Sequence, residues 1–479
     1  MSGTHSLDGT KLRDRQRHAI ADQALGNKVS RGVDIFATRK AGAMAQVGVR
    51  HHDGTVGDAD ELRMAARAMR ARTIERLPQL LERFADNLLA MGVHVHWAPD
   101  ARAANDAILG IAKSIGARTV VKGKSMATEE TALNADLEAA GCEVVETDLG
   151  EWIIQLDHDT PSHIIAPAVH LDRHDIKRIF DERADAGGIG HDPEVLNAFA
   201  RKTLRQKFLH ADLGISGCNL AIAETGSILL VENEGNGRMC TTLPRVHVAM
   251  MGMERIVESW EDANLVLNLL ARSGTGQPLS SYTNIITGPR RPGDGDGPEE
   301  VHVVIMDNGR SELLGSEFAE MLNCIRCGAC LNVCPVYRQT GGHAYGWVYS
   351  GPMGAVLTPL LAGEEHPEAL EVANASTLCG ACMDACPVSI PLQDLLLANR
   401  RRRVDLGAGR AEQAGWSTWA STWSHTRTYE ASMRAVGFGG RLLGDRAGSL
   451  PGGRAWSEGR AIPKPAAESF RSKWRKGNV

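Results

Sequence analysis

Apolar residues settle into a regular rhythm from Asp58 onward. Leu62, Ala66, Met69, Ile74, Leu77, Leu80, Leu81, Phe84 and Leu88 recur at three- to four-residue intervals. That spacing predicts one long amphipathic helix over 58–91. Upstream, residues 1–57 alternate short polar helical stretches with little apolar content, and Arg39, Lys40 and the pair His51 and His52 add nothing specific. Downstream the period changes. Residues 93–97, 119–121 and 143–145 read as strands, with helices over 101–115 and 129–140 between them. Further strands are expected at 164–165, 228–231, 247–251 and 301–305, and further helices over 172–180 and 193–209. Strands alternating with helices of this length predict βαβ units and a parallel sheet. An α/β domain is therefore expected over 58–310, after an N-terminal helical segment over 1–57.

Residues 288–299 form a Gly/Pro/Asp-rich run that can continue neither a helix nor a central strand, and so mark the approach to a domain boundary. Beyond residue 399 the composition shifts again, with 16 Lys and Arg against 6 Asp and Glu over 400–479. Five of the nine tryptophans, Trp416, Trp419, Trp423, Trp456 and Trp474, fall in this stretch. It reads either as a weakly packed basic tail or as an arm that docks on an electron acceptor, a partner or an anionic membrane surface. The whole chain has 479 residues, 43% hydrophobic and 23% charged, with a formal net charge of -5. This supplies more than one packed core and excludes a disordered protein. No apolar run is long enough to span a bilayer, and the first residues lack the apolar stretch of a secretory leader. A cytoplasmic protein is expected, with peripheral membrane attachment as the variant in which the tail docks. With 22 aromatic residues and a slightly acidic balance, a dedicated nucleic-acid binder is not expected.

Cysteine placement carries the chemistry. Cys142, Cys218 and Cys240 are scattered, and read as small buried hydrophobes. The other seven lie between 324 and 386. Cys324, Cys327, Cys330 and Cys334 followed by Pro335 form a complete C-x2-C-x2-C-x3-C-P run; Cys379, Cys382, Cys386 and Pro387 repeat it with Ser376 in the first position. In such runs the fourth cysteine ligates the other cluster. The crossing assigns Cys324, Cys327, Cys330 and Cys386 to cluster 1, expected as [4Fe-4S]. Cluster 2 takes Cys334, Cys379 and Cys382, with Ser376 where a fourth thiolate would stand, as a [4Fe-4S] or [3Fe-4S] centre. Zinc also uses C-x2-C pairs, but four ligands suffice for it, and two cross-related runs ending in Cys-Pro favour iron–sulfur. The 45-residue separation of Cys334 and Cys379 is too long for a compact two-hairpin ferredoxin, so a helical ferredoxin-type domain is expected over 311–399.

The α/β domain offers several polar segments. Lys122 and Lys124 follow a buried strand, where a loop lines the ligand crevice of an α/β sheet, although a solvated loop fits equally. Glu224 precedes the strand at 228–231, and Glu232, Glu234 and Arg238 follow it in a glycine-rich loop, which suits either a small polar ligand or a tight turn. Glu146, Thr147 and Asp148 are compatible with the same crevice. No Walker A or G-x-G-x-x-G pattern occurs, so no nucleotide is expected. His94, His96, His163, His170 and His247 read as buried or satisfied histidines rather than ligands.

The segments VVKGKSMATEE (121–131), ETDLGEWIIQL (146–156), PSHIIAPAVH (161–170) and AETGSILLVENEGNGRM (223–239) resemble the lactate-utilisation (LUD) domain. The segments over 286–311, 324–359 and 378–392 resemble the iron–sulfur subunit family of that system, LutB. The likeness covers nearly the whole chain, and Ser376 in the second cysteine run is itself similar to the family's pattern. It implies a NagB/ribose-phosphate-isomerase/CoA-transferase-like LUD domain joined to a two-cluster ferredoxin domain and a basic tail. It also implies a cysteine-rich partner and a second LUD protein, which together with such a chain oxidise L-lactate to pyruvate. On this basis the chain is expected to be the electron-transfer component of an oxidoreductase complex rather than a complete enzyme. The cation opposite a lactate carboxylate would be Lys122, Lys124 or Arg238. Two alternatives stand beside it: the same wiring for another 2-hydroxy acid such as glycolate, or an isomerase or CoA transferase using Glu224 or Glu232, with structural clusters.

Overall fold

The computed structural model describes residues 10–47, 49–50, 56–363, 366–407, 409–443, 466 and 468–477. They fall into two compact units, 1–403 and 404–479.

The first unit is built on a six-stranded parallel sheet. Its strands, together with those of a smaller sheet, are numbered along the chain: β1 (His94–Ala98), β2 (Thr119–Lys122), β3 (Glu143–Glu146), β4 (Leu213–Ser216), β5 (Leu220–Ile222), β6 (Ser227–Glu232), β7 (Val246–Gly252), β8 (Ile256–Val257), β9 (Tyr282–Ile286) and β10 (Glu300–Met306). The large sheet runs β1-β10-β7-β4-β2-β3, with every neighbouring pair parallel. Alternation along β10 divides its two faces. Val301, Val303 and Ile305 pack with Phe84 and Leu88 of the helix Leu77–Ala90, whereas Val304 and Met306 pack with Ile108 of the helix Ala101–Ser114. Both faces are covered, as a parallel sheet requires.

The smaller sheet runs β8-β5-β6-β9 and mixes parallel and antiparallel pairs. Leu220, Ile222, Leu229 and Val257 from it enter a core that also takes Val29 and Val33 of the helix Gln23–Ala45, Met69 of the helix Ala59–Glu75, and Met321, Ile325, Leu331, Tyr337 and Leu396 of the cysteine-bearing region. One apolar core therefore runs continuously from the N-terminal helices through the α/β part into the cysteine loops. Buried Arg70 fastens the same junction, donating to the carbonyls of Ile256 (2.7 Å), Glu254 (2.5 Å) and Leu322 (3.0 Å). From 311 to 403 the described residues form helices and 3-10 turns without strands.

Several elements differ from the sequence expectation. The helix expected over 58–91 is two, separated at Arg76, because Pro78 in the first turn of the second supplies no N–H to continue the ladder. The helix over 129–140 breaks where Ala132 takes a left-handed φ of 53°. Residues 164–165 form no strand, while β4, β5, β8 and β9 are additions. The N-terminal region holds a 23-residue helix, Gln23–Ala45, whose Val29 and Val33 are fully buried.

The second unit contains the helices Arg410–Trp423, Thr426–Leu443 and Phe470–Arg475. Trp416 meets Trp419 edge-on at 5.7 Å between centroids and Trp419 meets Trp423 at a tilt at 5.2 Å, and all three stay exposed. Trp456 lies outside the described residues. Among the described residues no helix is long and apolar enough to cross a membrane.

Candidate functional site

Two cavities gather the seven clustered cysteines. Cys324, Cys327, Cys330 and Cys386 line the first, of about 370 Å³, together with apolar Ile164, Met321, Ile325 and Met353. Cys334, Cys379, Cys382 and Ser376 line the second, of about 290 Å³. The local backbone makes this possible. Arg326 and Gly328 both take left-handed φ values, 60° and 74°, which turn the chain sharply between successive thiols. Residues 324–330 thereby wrap one cavity while Cys334, capping the helix Pro335–Thr340, faces the other.

The donor set fits a soft, cationic iron–sulfur core. Burial pushes the Cys327 thiol up to about 12, with the Cys386 thiol adding to it, and burial pushes Cys382 to about 11, helped by Cys334 and Cys379. Thiols gathered this closely in apolar surroundings deprotonate only around compensating positive charge. Backbone N–H groups already point at sulfur: Arg326 to Cys324 (3.4 Å), Tyr337 to Cys334 (3.5 Å) and Ile390 to Cys386 (3.4 Å). Cations gather around the first cavity as well. Lys40 Nζ donates to Ala385 O (2.8 Å) and Arg63 to Cys386 O (2.8 Å). Lys40 thus has a place at this site, where the sequence assigned it none. Ser376 Oγ accepts from Leu378 N (3.1 Å) on the rim of the second cavity, beside exposed Cys379.

An open cleft of about 1510 Å³ lies at the C-terminal ends of β2, β4 and β7, where a parallel sheet presents its loops. Of the residues proposed from the sequence to meet substrate, Lys124 lines it, paired with Glu151 (2.7 Å). The other three do not. Lys122 is fully buried among Glu146 (2.7 Å), Glu129 (3.1 Å) and Thr128 (3.0 Å). Burial opposes its charge, but the carboxylates outweigh that and hold the ammonium above its ordinary pKa. Glu224 accepts from Trp260 N (2.8 Å), at the start of the helix Trp260–Gly274. Arg238 is exposed and contributes its backbone N–H to Glu232 (2.8 Å). Glu232 does line the cleft, its carboxylate engaged by Gly237 N (2.6 Å) and Asn284 (2.6 Å).

The sequence reading missed the ionic network that walls this cleft. Arg310 donates from Nε to Glu254 (2.7 Å) and from both terminal nitrogens to Glu130 (2.9 and 2.8 Å), which also accepts from Tyr349 (2.6 Å). Arg326 reaches the other oxygen of Glu254 (3.1 Å) and stands 4.7 Å over the Tyr349 ring. Burial would raise Glu254, but Arg310, Arg326 and Arg255 overcome it and hold the carboxyl at about 2. Arg326 and Ile164 line both the cleft and the first thiol cavity, so one layer of side chains separates them. The one available signal was Arg310's place just after the last strand of the sheet, a ligand-facing position in α/β folds.

Three family models match the chain: the LUD domain over 81–306, the 4Fe-4S dicluster domain over 320–390, and the C-terminal region of lactate utilisation protein B over 404–479. "Lactate utilization protein B" of Shouchella clausii (strain KSM-K16) is 46% identical over 465 residues, covering 94% of this chain and 96% of its own. The chain belongs to the lactate utilisation protein B family. Another member, from Bacillus subtilis (strain 168), is 48% identical over 391 residues, 81% of each chain. "Uncharacterized electron transport protein YkgF" of Escherichia coli (strain K12) is 43% identical over 479 residues, 98% of this chain and 97% of its own. A solved DUF162 family protein from Deinococcus radiodurans is 19% identical, covering 48% of this chain and 98% of its own, with a TM-score of 0.26. All seven clustered cysteines of this chain fall inside the dicluster match. The C-terminal family match coincides with the second compact unit.

Proposed function

We propose that the chain is an iron–sulfur electron-transfer subunit in the oxidation of L-lactate to pyruvate. The observation that carries this reading is the sorting of the cysteines into two cavities, with Cys386 joining the first run and Cys334 joining the second. Cys324, Cys327, Cys330 and Cys386 hold a [4Fe-4S] cluster; Cys334, Cys379 and Cys382 hold a [4Fe-4S] or [3Fe-4S] cluster beside Ser376. When bound, such clusters take up and release single electrons, whereas a 2-hydroxy acid gives up its electrons in a pair. The chain's own residues set the conditions. Lys40, Arg63 and Arg326 place positive charge around the first cavity, which favours its reduced state.

Lys124 is the sequence-proposed cation that remains for a substrate carboxylate, because Lys122 is enclosed and Arg238 faces solvent. Glu224 caps a helix outside the cleft, which removes support from its use as an isomerase or CoA-transferase base. The partners in this reading are a cysteine-rich subunit and a second LUD protein, and the tryptophan-bearing tail docks on one of them, on an electron acceptor or at the membrane surface. The test is anaerobic reconstitution with those partners. L-lactate should bleach the broad visible absorbance within turnover time; iron-replete complex that keeps its colour with lactate would refute the reading.

A further inference from the structure

The N-terminal ends of β1 and β10 carry a group of side chains that electron transfer does not use. His94 and His302 are register partners in parallel strands, so both leave the sheet on one face, and His96 and Glu300 lie two residues along on that face. The rings of His94 and His302 stack at 4.6 Å, and His96 stacks on His302 at 5.3 Å. His96 Nε2 engages His302 Nδ1 at 3.1 Å. That leaves His302 Nε2 buried without a hydrogen-bond partner, and Glu300 Oε2 stands 3.6 Å from it. A buried ring nitrogen left unpaired is costly unless something fills its need. One ligand atom from each of His94, Glu300 and His302 lies within 4.8 Å of the others, and His94 and Glu300 are exposed, so the spot is open to solution. It sits at the end of the sheet opposite the cleft, which draws on the C-terminal strand ends.

We propose that His94, His302 and Glu300 bind a divalent transition-metal ion, Zn²⁺ foremost, with His96 positioning His302 from behind. Two imidazoles and a carboxylate are a donor set that borderline ions favour, and three protein ligands leave a further position to water. A histidine ligand whose second ring nitrogen is held by a neighbour is the usual arrangement behind such an ion, and His96 supplies that hold. The ion would add a coordinate link between edge strand β1 and β10, beside the backbone pairing and the histidine contacts already there.

The test uses the full chain with its iron–sulfur clusters loaded, titrated anaerobically with Zn²⁺ by calorimetry while iron is assayed in parallel. One Zn²⁺ equivalent should bind without displacing iron and raise the melting temperature. His302→Ala and His94→Ala should each weaken binding at least tenfold and abolish the thermal shift; His96→Ala should weaken it roughly tenfold. Because His94 is exposed, its variant stays informative even if loss of the buried His302 ring impairs folding. Absence of Zn²⁺ binding overturns the proposal. So does uptake that is undiminished in His94→Ala, or that occurs only as iron is lost, because the thiols would then be the ligands.

Discussion

Ser376 stands where a cysteine would complete the second set of thiols, on the rim of the second cavity. Ser376→Cys should lengthen the lifetime of the visible absorbance in air several-fold, since a fourth thiolate replaces a weaker oxygen ligand or an open iron position. An unchanged decay would mean that residue 376 does not face the metal. His163 offers a pH prediction. Its Nδ1 accepts from the backbone N–H groups of Ile165 (3.1 Å) and Ala166 (3.2 Å) while Nε2 meets Asn332 Oδ1 (3.2 Å), so the folded protein needs the ring neutral. Burial is the main cause of its pKa of about 3. A group depressed on folding contributes stability in full above its unfolded pKa near 6.5 and loses it as the pH falls. Between pH 6.5 and 5 the loss should be about 2 kcal/mol, read from urea unfolding, and His163→Asn should flatten that slope. The cysteines were legible in the sequence because their spacing is local. The cleft network was not, because Glu130, Glu254, Arg310 and Arg326 come from four separate segments that only the fold brings together.

Among the elements, helices with strong apolar spacing were easiest to foresee, and Pro193–Leu209 has the expected limits. The short strands β5 and β8 are two or three residues long and fully buried, so no alternation marks them. Contact between elements explains other silent features. A Cβ at Gly274, the last residue of the helix Trp260–Gly274, would stand 2.5 Å from the carbonyl oxygen of Cys327 and 2.7 Å from Ile165 Cδ1. Gly274→Ala should therefore push the helix end away from the cysteine loop. The expected result is a loss of about 1–3 kcal/mol in stability and a lower iron content per chain in anaerobically purified protein; full iron and an unchanged unfolding midpoint would show that the loop yields freely.

For the molecule as a whole, the division into 1–403 and 404–479 separates the cysteine cavities from the exposed tryptophan row. Replacing Trp416, Trp419 and Trp423 together by Ala should leave iron content and visible spectrum unchanged and weaken binding to the partner subunits at least tenfold, measured by calorimetry. Unchanged affinity would assign the row to another surface. The α/β class was legible because short apolar strand runs recur between helix-length segments over 93–209. That the N-terminal helices share a core with the cysteine loops was not, since Val29 and Val33 are sparse apolar positions in a polar stretch.

That shared core has a consequence for the cell. Hydrophobic residues lining the thiol cavities are the same ones that hold the N-terminal helices and the smaller sheet together. A chain starved of iron during synthesis cannot set aside an empty ferredoxin module and keep a sound neighbour, because metal uptake and folding are coupled through one interior. Quality-control proteases would meet a loosened polypeptide of some 400 residues, and its abundance would follow iron supply.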